Sequence, residues 1–131
     1  MSIASHIPAR IVLADDHILV RNGIRSLLRA VPEWEVCGEA GDGKEAVQKA
    51  LECNPDVMLM DISMPNVNGI EATRQIRCKL PTVKIIMLTM HDSLQISEQA
   101  MRAGADAVVI KTSSPEDLVG TIDKVLENHN S

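Results

Sequence analysis

Short apolar runs alternate along the chain with segments in which apolar side chains recur at helical spacing. The runs, which are typical of β-strands, are Arg10–Ala14, Trp34–Ala40, Val57–Met60, Lys84–Thr89 and Ala107–Ile110. Between them, apolar positions follow the i, i+3, i+4 and i+7 spacing of one helix face. All the runs except Trp34–Ala40 are nearly continuous in apolar residues. This pattern favours strands that are buried on both faces of a parallel sheet.

The residues between the runs mark where the predicted helices begin and end. Pro32 and Pro55 stop the first two helices, and Gly104 is a natural C-terminal residue for the fourth. Ser114–Asp117 opens the last helix with a capping serine, a proline in the first turn and an acid three residues after the cap. The alternation predicts a doubly wound α/β fold, with a five-stranded parallel sheet, right-handed crossovers and helices on both faces.

The chain of 131 residues is long enough for one compact domain. We assign this domain to residues 10–127, with a flexible N-terminal extension over residues 1–9. Residues 128–131 are interpreted as a tail or the start of a linker. With one Trp and no Phe or Tyr, the core must be built from aliphatic side chains and methionine. We therefore predict that the methionines in and near the strands fill the core, namely Met58, Met60, Met64, Met87 and Met90.

The composition excludes several classes of function. A net charge of −5 argues against a basic patch through which the domain could bind nucleic acid by itself. No apolar run approaches the roughly 20 residues of a membrane helix, and the N-terminus lacks the features of a signal peptide. We therefore expect a cytoplasmic protein without membrane contact. Cys37, Cys53 and Cys78 are too widely spaced to suggest a metal cluster or a disulfide framework.

Polar side chains follow four of the predicted strands at the point where each strand ends. Asp15 and Asp16 follow the first strand, Asp61 follows the third, and Thr89 and Lys111 stand at the ends of the fourth and fifth. Ligands of open α/β sheets bind beyond the carboxyl ends of the strands, so we expect these side chains to converge. Two carboxylates about 4 Å apart repel by about 4 kcal/mol at an effective dielectric near 20. A hard divalent cation such as Mg²⁺ would offset this repulsion and indicates phosphoryl chemistry.

This set of five residues resembles the signature of response regulator receiver domains. The stretch Asp61–Pro65 with Gly69 resembles the D-x-x-M-P-x-x-x-G segment of that family. The segments Leu13–His17 and Gly41–Ala46 are similar in sequence to the corresponding segments of receivers of the NarL/FixJ (LuxR-type) class. The resemblance covers the chain from about residue 10 to residue 126. It implies a flavodoxin-like fold with strand order 2-1-3-4-5.

The resemblance also implies a metal site and a phosphorylation site. Asp61 would be the phosphoacceptor, and its carboxylate oxygen would attack phosphorus. Asp16 and Asp61 would bind Mg²⁺ directly, with the backbone carbonyl of Ser63 as a third ligand. Asp15 would act mainly through coordinated water, and Mn²⁺ could take the place of Mg²⁺.

The same resemblance assigns roles in signalling and in the lifetime of the phosphate. Lys111 would pair with Asp61 at rest and with a phosphoryl oxygen afterwards, while Thr89 would move its hydroxyl onto another phosphoryl oxygen. Ser63 and His91, two residues after Asp61 and Thr89, would border the path of attacking water. The spacing of His17 and His91 resembles no metal motif, and we interpret His17 as a solvent-exposed loop residue.

Two positions depart from the family pattern. Many receivers carry Tyr or Phe three residues before the lysine, where this chain has Val108. Any signal from Thr89 would therefore pass through backbone movement and aliphatic packing at a modulatory Val108. Many receivers also have a cis Lys-Pro bond where this chain has Lys111-Thr112, and a cis bond without proline costs about 3 kcal/mol.

The resemblance implies phosphorelay signalling rather than enzymatic turnover of a substrate. A histidine kinase or a small phosphodonor would supply the phosphoryl group, and the domain would catalyse only its own phosphorylation and dephosphorylation. The expected output is a change in partner contacts, including phosphorylation-dependent homodimerisation. We interpret the chain as the N-terminal receiver of a transcriptional regulator that contacts DNA only through a C-terminal module outside this chain. A stand-alone receiver acting through protein contacts is the alternative.

Two further classes of function compete with this interpretation. A phosphohydrolase with an aspartate nucleophile typically has a second acid two residues later, where this chain has Ser63. A flavodoxin-like cofactor-binding protein would need a glycine-rich phosphate loop after the first strand and aromatic rings to stack on a flavin. The sequence has neither feature, so both classes are less favoured than the receiver.

Overall fold

The computed structural model describes residues 7–130, with side chains described for residues 7–127. Its elements are β1 (Ala9–Ala14), α1 (Ile18–Arg29), β2 (Trp34–Ala40), α2 (Gly43–Cys53), β3 (Val57–Asp61), α3 (Gly69–Lys79), β4 (Lys84–Thr89), α4 (Leu94–Ala103), β5 (Ala107–Ile110) and α5 (Pro115–Asn130). The five strands form one sheet in the order β2-β1-β3-β4-β5, and all neighbours are parallel. The predicted doubly wound α/β fold and strand order are confirmed.

The strands divide the apolar core between the two faces of the sheet, because successive side chains point in opposite directions. On one face, Val12 and Met58 pack with residues of α2, α3 and α4. On the other face, Ile11 and Leu59 pack with residues of α1 and α5. Met58, Met60, Met64 and Met87 are buried as predicted. Met90 is 59% exposed, and its assignment to the core was wrong because it lies in the loop just after β4.

The ends of the helices follow the predicted signals. Near the two ends of the chain, however, strand β1 and helix α5 are longer than predicted. Gly104 ends α4 with a φ of 118°, and the Ser114 hydroxyl accepts a hydrogen bond from the Asp117 N–H at 3.3 Å. Strand β1 already begins at Ala9, whose N–H donates to the Glu33 carbonyl at 2.8 Å. Helix α5 continues to Asn130 because no glycine or proline interrupts its last turns, so the predicted tail is helical over residues 128–130. Residues 1–6 of the predicted extension lie outside the described residues.

None of the helices in the described part of the chain combines the length and the hydropathy that a membrane crossing requires.

Gly69 lets the first turn of α3 approach the end of β3. A Cβ added to Gly69 would lie 2.2 Å from the backbone oxygen of Asp61, far inside contact distance. The N–H of Gly69 donates to the Ile62 carbonyl at 2.9 Å. The backbone on both sides of this contact is held by the sheet and by the helix. Only glycine therefore fits without moving the segment that follows Asp61.

We expect Gly69→Ala to lower the free energy of unfolding by about 1–3 kcal/mol, because the methyl group overpacks a backbone contact. Chemical denaturation would measure this loss. Gly120→Ala is the matched control, because a Cβ there meets nothing within 4 Å and replacement of a helical glycine by alanine stabilises by about 0.5–1 kcal/mol. Equal stabilities for the two variants would contradict the packing role of Gly69.

Candidate functional site

The carboxyl ends of β1, β3 and β5 bring Asp15, Asp61 and Lys111 into direct contact. Asp15 follows β1, Asp61 is the last residue of β3, and Lys111 follows β5. The Lys111 ammonium lies 2.7 Å from Asp15 Oδ2 and 3.0 Å from Asp61 Oδ2. The three side chains are only 0–6% exposed. Two buried carboxylates therefore share one buried cation at the point where the strand order reverses.

Each of the two carboxylates is also held by a backbone donor two residues later. Asp15 Oδ1 accepts from the His17 N–H at 2.9 Å, and Asp61 Oδ1 accepts from the Ser63 N–H at 3.2 Å. Among the described residues, Lys111 is the only polar partner of the two Oδ2 atoms. Those oxygen atoms have lone pairs left over, since a carboxylate oxygen accepts more than one hydrogen bond or metal bond.

The charges of this cluster are not balanced. Burial raises the pKa of Asp61 to about 6, and the charge of Asp15 adds to the rise, while the hydrogen bond from Lys111 opposes it. Burial by itself would lower the pKa of Lys111, but its hydrogen bonds to Asp15 and Asp61 outweigh burial and raise it. Lys111 is therefore firmly protonated at neutral pH. At neutral pH the site therefore holds an excess of negative charge, which a divalent cation would neutralise.

A group of possible metal ligands lies at the same edge of the sheet. Asp15, Asp16, His17 and Asp61 each offer one ligand atom, and these atoms all lie within 4.8 Å of one another. The Asp16 side chain is about one third exposed, so the group opens to solvent on that side. Carboxylate oxygens with access to water are the donors that Mg²⁺ takes in proteins, and the unshared lone pairs of the two buried Oδ2 atoms fit such an ion.

Thr89 is buried at the end of β4, where its hydroxyl is held by the following loop. Its Oγ1 accepts from the His91 N–H at 3.1 Å and lies 3.4 Å from the His91 carbonyl oxygen.

The other residues predicted to modulate the site lie around it. Ser63 and His91 are exposed, and Val108 is half-buried against the core beside Met87. No described peptide bond is cis, so the Lys111-Thr112 bond is trans.

The structure brings together four of the residues that the sequence assigned to the site and adds His17 to them. Asp15, Asp16, Asp61 and Lys111 form one cluster, whereas Thr89 is turned toward its own loop. His17, interpreted from the sequence as a surface residue, has a 64% exposed side chain but also belongs to the group of ligand atoms. Its position directly after the Asp15-Asp16 pair was the only signal in the sequence.

An apolar groove of about 420 Å³ lies beside the cluster, between α1 and α5. Leu19 and Val20 of α1 form one wall, Pro115 and Leu118 of α5 form the other, and Lys111 lies at its edge. Leu19 is 82% exposed, although it is a large apolar residue. An exposed apolar surface of this kind is typical of an interaction site.

Comparison with known proteins identifies relatives over almost the whole chain. The sequence profile of the response regulator receiver domain matches residues 11–123. The response regulator protein VraR of Staphylococcus saprophyticus is 38% identical over 92% of this chain and 58% of its own length. The transcriptional regulatory protein DegU of Brevibacillus brevis is 38% identical over 90% of this chain and 50% of its own length. The chain therefore spans about half the length of these curated relatives.

A solved structure gives the same result for the fold. The two-component response regulator of the LuxR family from Aurantimonas sp. SI85-9A1 superposes with a TM-score of 0.89 at 40% sequence identity. The match covers 93% of this chain and 87% of that protein. Sequence and fold similarity thus extend together over all five strands.

Proposed function

The chain belongs to the family of response regulator receiver domains of two-component systems, of the LuxR/NarL type, and on that premise we propose that Asp61 is its phosphoacceptor. The observation that carries the proposal is the contact of one buried cation, Lys111, with two buried carboxylates, Asp15 and Asp61. A purely structural cluster would not keep this excess of negative charge. Receiver domains bind Mg²⁺ at an acidic site and act in signal transduction rather than as enzymes.

The proposed transfer uses Asp61 as the nucleophile. Its carboxylate oxygen forms a bond to phosphorus, and the bond from phosphorus to the donor breaks, so that the histidine nitrogen or the acyl oxygen of the donor leaves with the electron pair. Asp16 and Asp61, with the Ser63 carbonyl, would hold the ion directly, and Asp15 would act through water. When bound, Mg²⁺ supplies positive charge that neutralises the transferring phosphoryl group. Lys111 exchanges part of its contact with Asp61 for a phosphoryl oxygen.

Incubation with acetyl phosphate tests this proposal. We expect intact-mass measurement to show one added phosphoryl group in the presence of Mg²⁺, and none after the metal is removed with a chelator. Asp61→Asn should add nothing under either condition, since an amide oxygen is a poor nucleophile. Asp92→Asn, at an exposed aspartate of the same edge, serves as the control and should behave like the native protein. Uptake by Asp61→Asn, or no uptake by the native protein from any small donor, would overturn the proposal.

Thr89 is proposed to carry the signal out of the site. Its hydroxyl would leave the His91 backbone and donate to a phosphoryl oxygen, which would draw the loop toward Asp61. The hydrogen bonds of 3.1 and 3.4 Å that now hold the hydroxyl are neutral and weaker than one to a charged oxygen. Ser63 and His91, exposed on either side, would set the access of water, and Val108 would take up the movement by aliphatic packing.

We expect Thr89→Ala to accept the phosphoryl group but to respond to it poorly. A hydrogen bond to a charged acceptor contributes about 1.5–3 kcal/mol, so its loss should reduce the population of the switched state about tenfold or more. The amide chemical shifts of residues 89–94 before and after phosphorylation would measure this. Thr89→Ser keeps the hydroxyl and should respond like the native protein. Equal shift changes in both variants would exclude the proposed role.

The output and the partners are proposed from the relatives and from the groove. Since DegU is a transcriptional regulatory protein of about twice this length, we propose that the domain is the N-terminal receiver of a cytoplasmic DNA-binding regulator. A cognate histidine kinase would reach Asp61 from the side of the α1–α5 groove, which adjoins Lys111. The same apolar surface would support phosphorylation-dependent homodimerisation, or partner contact if the receiver acts alone.

A further inference from the structure

His17 lies with its imidazole against both members of the acidic pair. Its Nδ1 is 3.2 Å from Asp16 Oδ1 and 3.5 Å from Asp15 Oδ1. His17 is the N-cap residue of α1, yet its side chain makes no capping hydrogen bond to the helix. Its backbone is held on both sides, because the His17 N–H donates to Asp15 Oδ1 and the His17 carbonyl accepts from the Arg21 N–H, each at 2.9 Å. The imidazole is therefore turned toward the carboxylates rather than toward the free N–H groups of the helix.

The spacing of these atoms matches that of neighbouring ligands on one metal ion. Two donors at adjacent corners of an octahedron or a tetrahedron, each about 2.1 Å from a shared ion, lie about 3.0–3.4 Å apart. The separation of 3.2 Å between Nδ1 and Oδ1 of Asp16, the direct ligand, falls within this range, and Oδ1 of Asp15 lies slightly farther away, at 3.5 Å. Asp15 and Asp61, both buried, each also direct into the cluster an oxygen whose only polar partner, among the residues described, is the shared Lys111. A solvent-exposed imidazole completes a ligand set that still leaves positions for water.

We infer that His17 is a nitrogen ligand of the metal site and increases its preference for a borderline divalent transition-metal ion over Mg²⁺. This inference rests on the metal site of the proposed function and concerns which ion that site selects. Mg²⁺ binds oxygen almost exclusively, whereas imidazole nitrogen suits the later first-row ions. An added nitrogen donor therefore strengthens the binding of those ions and leaves that of Mg²⁺ nearly unchanged.

The competing role for His17 is that of a counter-charge, a protonated imidazolium between two acids. The two roles predict opposite effects of removing the side chain. If His17 only supplies positive charge, its removal makes the site more negative, and both ions bind more tightly. If His17 is a ligand, its removal weakens the binding of the transition-metal ion alone.

Calorimetric titration with Co²⁺ and with Mg²⁺ at one fixed pH separates these roles. We expect His17→Ala to weaken Co²⁺ binding at least about tenfold, since even the loss of an outer partner of a metal ligand typically costs that much. The affinity for Mg²⁺ should stay within about twofold, because oxygen ligands alone determine it. The visible spectrum of bound Co²⁺ should change in His17→Ala but not in Leu19→Ala, which removes an exposed side chain in the same helix turn without a donor atom.

An unchanged ratio of the Co²⁺ and Mg²⁺ affinities in His17→Ala would overturn the inference, and so would equal weakening or tightening of both ions. If that happens while the native protein still takes up phosphate with Mg²⁺, the proposed function stands and only the role of His17 fails. If the native protein binds neither ion, the metal site and the inference fail together.

Discussion

Replacement of Lys111 by methionine is expected to lower the free energy of unfolding by about 3–5 kcal/mol at neutral pH, in buffer free of divalent metal. The ammonium is the shared partner of Asp15 and Asp61, at 2.7 and 3.0 Å, and all three side chains are buried. Removal of one member of a buried ion pair leaves an uncompensated buried charge, and such changes cost about that much. Here two charges are left, and they repel each other. Urea denaturation followed by circular dichroism would measure the loss.

A domain of this size has a total stability of only about 5–15 kcal/mol, so Lys111→Met could be largely unfolded. Lys111→Met combined with Asp61→Asn keeps the prediction testable, because removal of one stranded carboxylate should restore part of the stability. Lys111→Arg retains the charge and should lose less than Lys111→Met. If Lys111→Met is as stable as the native protein, the ammonium does not hold this site together.

Asp61→Asn is expected to be more stable than the native protein at pH 7, by up to about 3 kcal/mol when metal is absent. The pKa of Asp61 is about 6 in the folded protein, above its ordinary value of 3.8, chiefly because the carboxyl is buried. Each unit of such a rise corresponds to about 1.4 kcal/mol in favour of the neutral form. The amide of asparagine has the shape of the carboxylate without its charge, so it avoids that cost.

The dependence on pH follows from the direction of this shift. Since the folded state binds the proton more tightly than the unfolded state, the stability gained from protonated Asp61 is complete below about pH 4. It is lost as the pH rises through about 6. The advantage of Asp61→Asn should therefore be only about one third of its full size near pH 4.5 and nearly full near pH 7.5. Denaturation curves across this range would show it.

Asp92→Asn removes an exposed carboxylate at the same edge and should show neither the gain nor the pH dependence. A native protein that is more stable than Asp61→Asn at pH 7 would mean that the ion pair with Lys111 outweighs the burial of the charge. Together, Lys111→Met and Asp61→Asn test whether an excess of negative charge destabilises the site. If both predictions hold, the acidic cluster is retained for phosphoryl transfer and metal binding at a cost in stability.

Local patterns in the sequence determined the architecture of this protein. The bounds of β2, β4 and β5 agree with the predicted apolar runs, and α4 ends at the predicted Gly104. These elements are specified by neighbouring residues alone, since side-chain periodicity, proline and glycine act within a few positions. The placement of Asp15, Asp61 and Lys111 at one edge followed from the fold, because parallel strands bring their carboxyl ends together.

Contacts between residues that are distant in the sequence could not be predicted from such local patterns. The pairing of β2 with β1 is interrupted at Cys37, since Val36 pairs with Ile11 and Gly38 already pairs with Val12. A bulge of this kind depends on the register with the neighbouring strand, which no local pattern reports. Met90 was misassigned for a related reason, because one residue beyond the strand it leaves the packed face.

The fold, the family resemblance and the residues that meet at the edge of the sheet could all be predicted from the sequence. The contacts among these residues could not be predicted: Lys111 bridges Asp15 as well as Asp61, the Thr89 hydroxyl is held by its own loop, and the imidazole of His17 faces the acidic pair. The difference lies in the range of the interactions. Apolar periodicity is a local property of the chain, whereas side-chain orientation and charge balance depend on residues up to 96 positions apart, such as Asp15 and Lys111 (111 − 15).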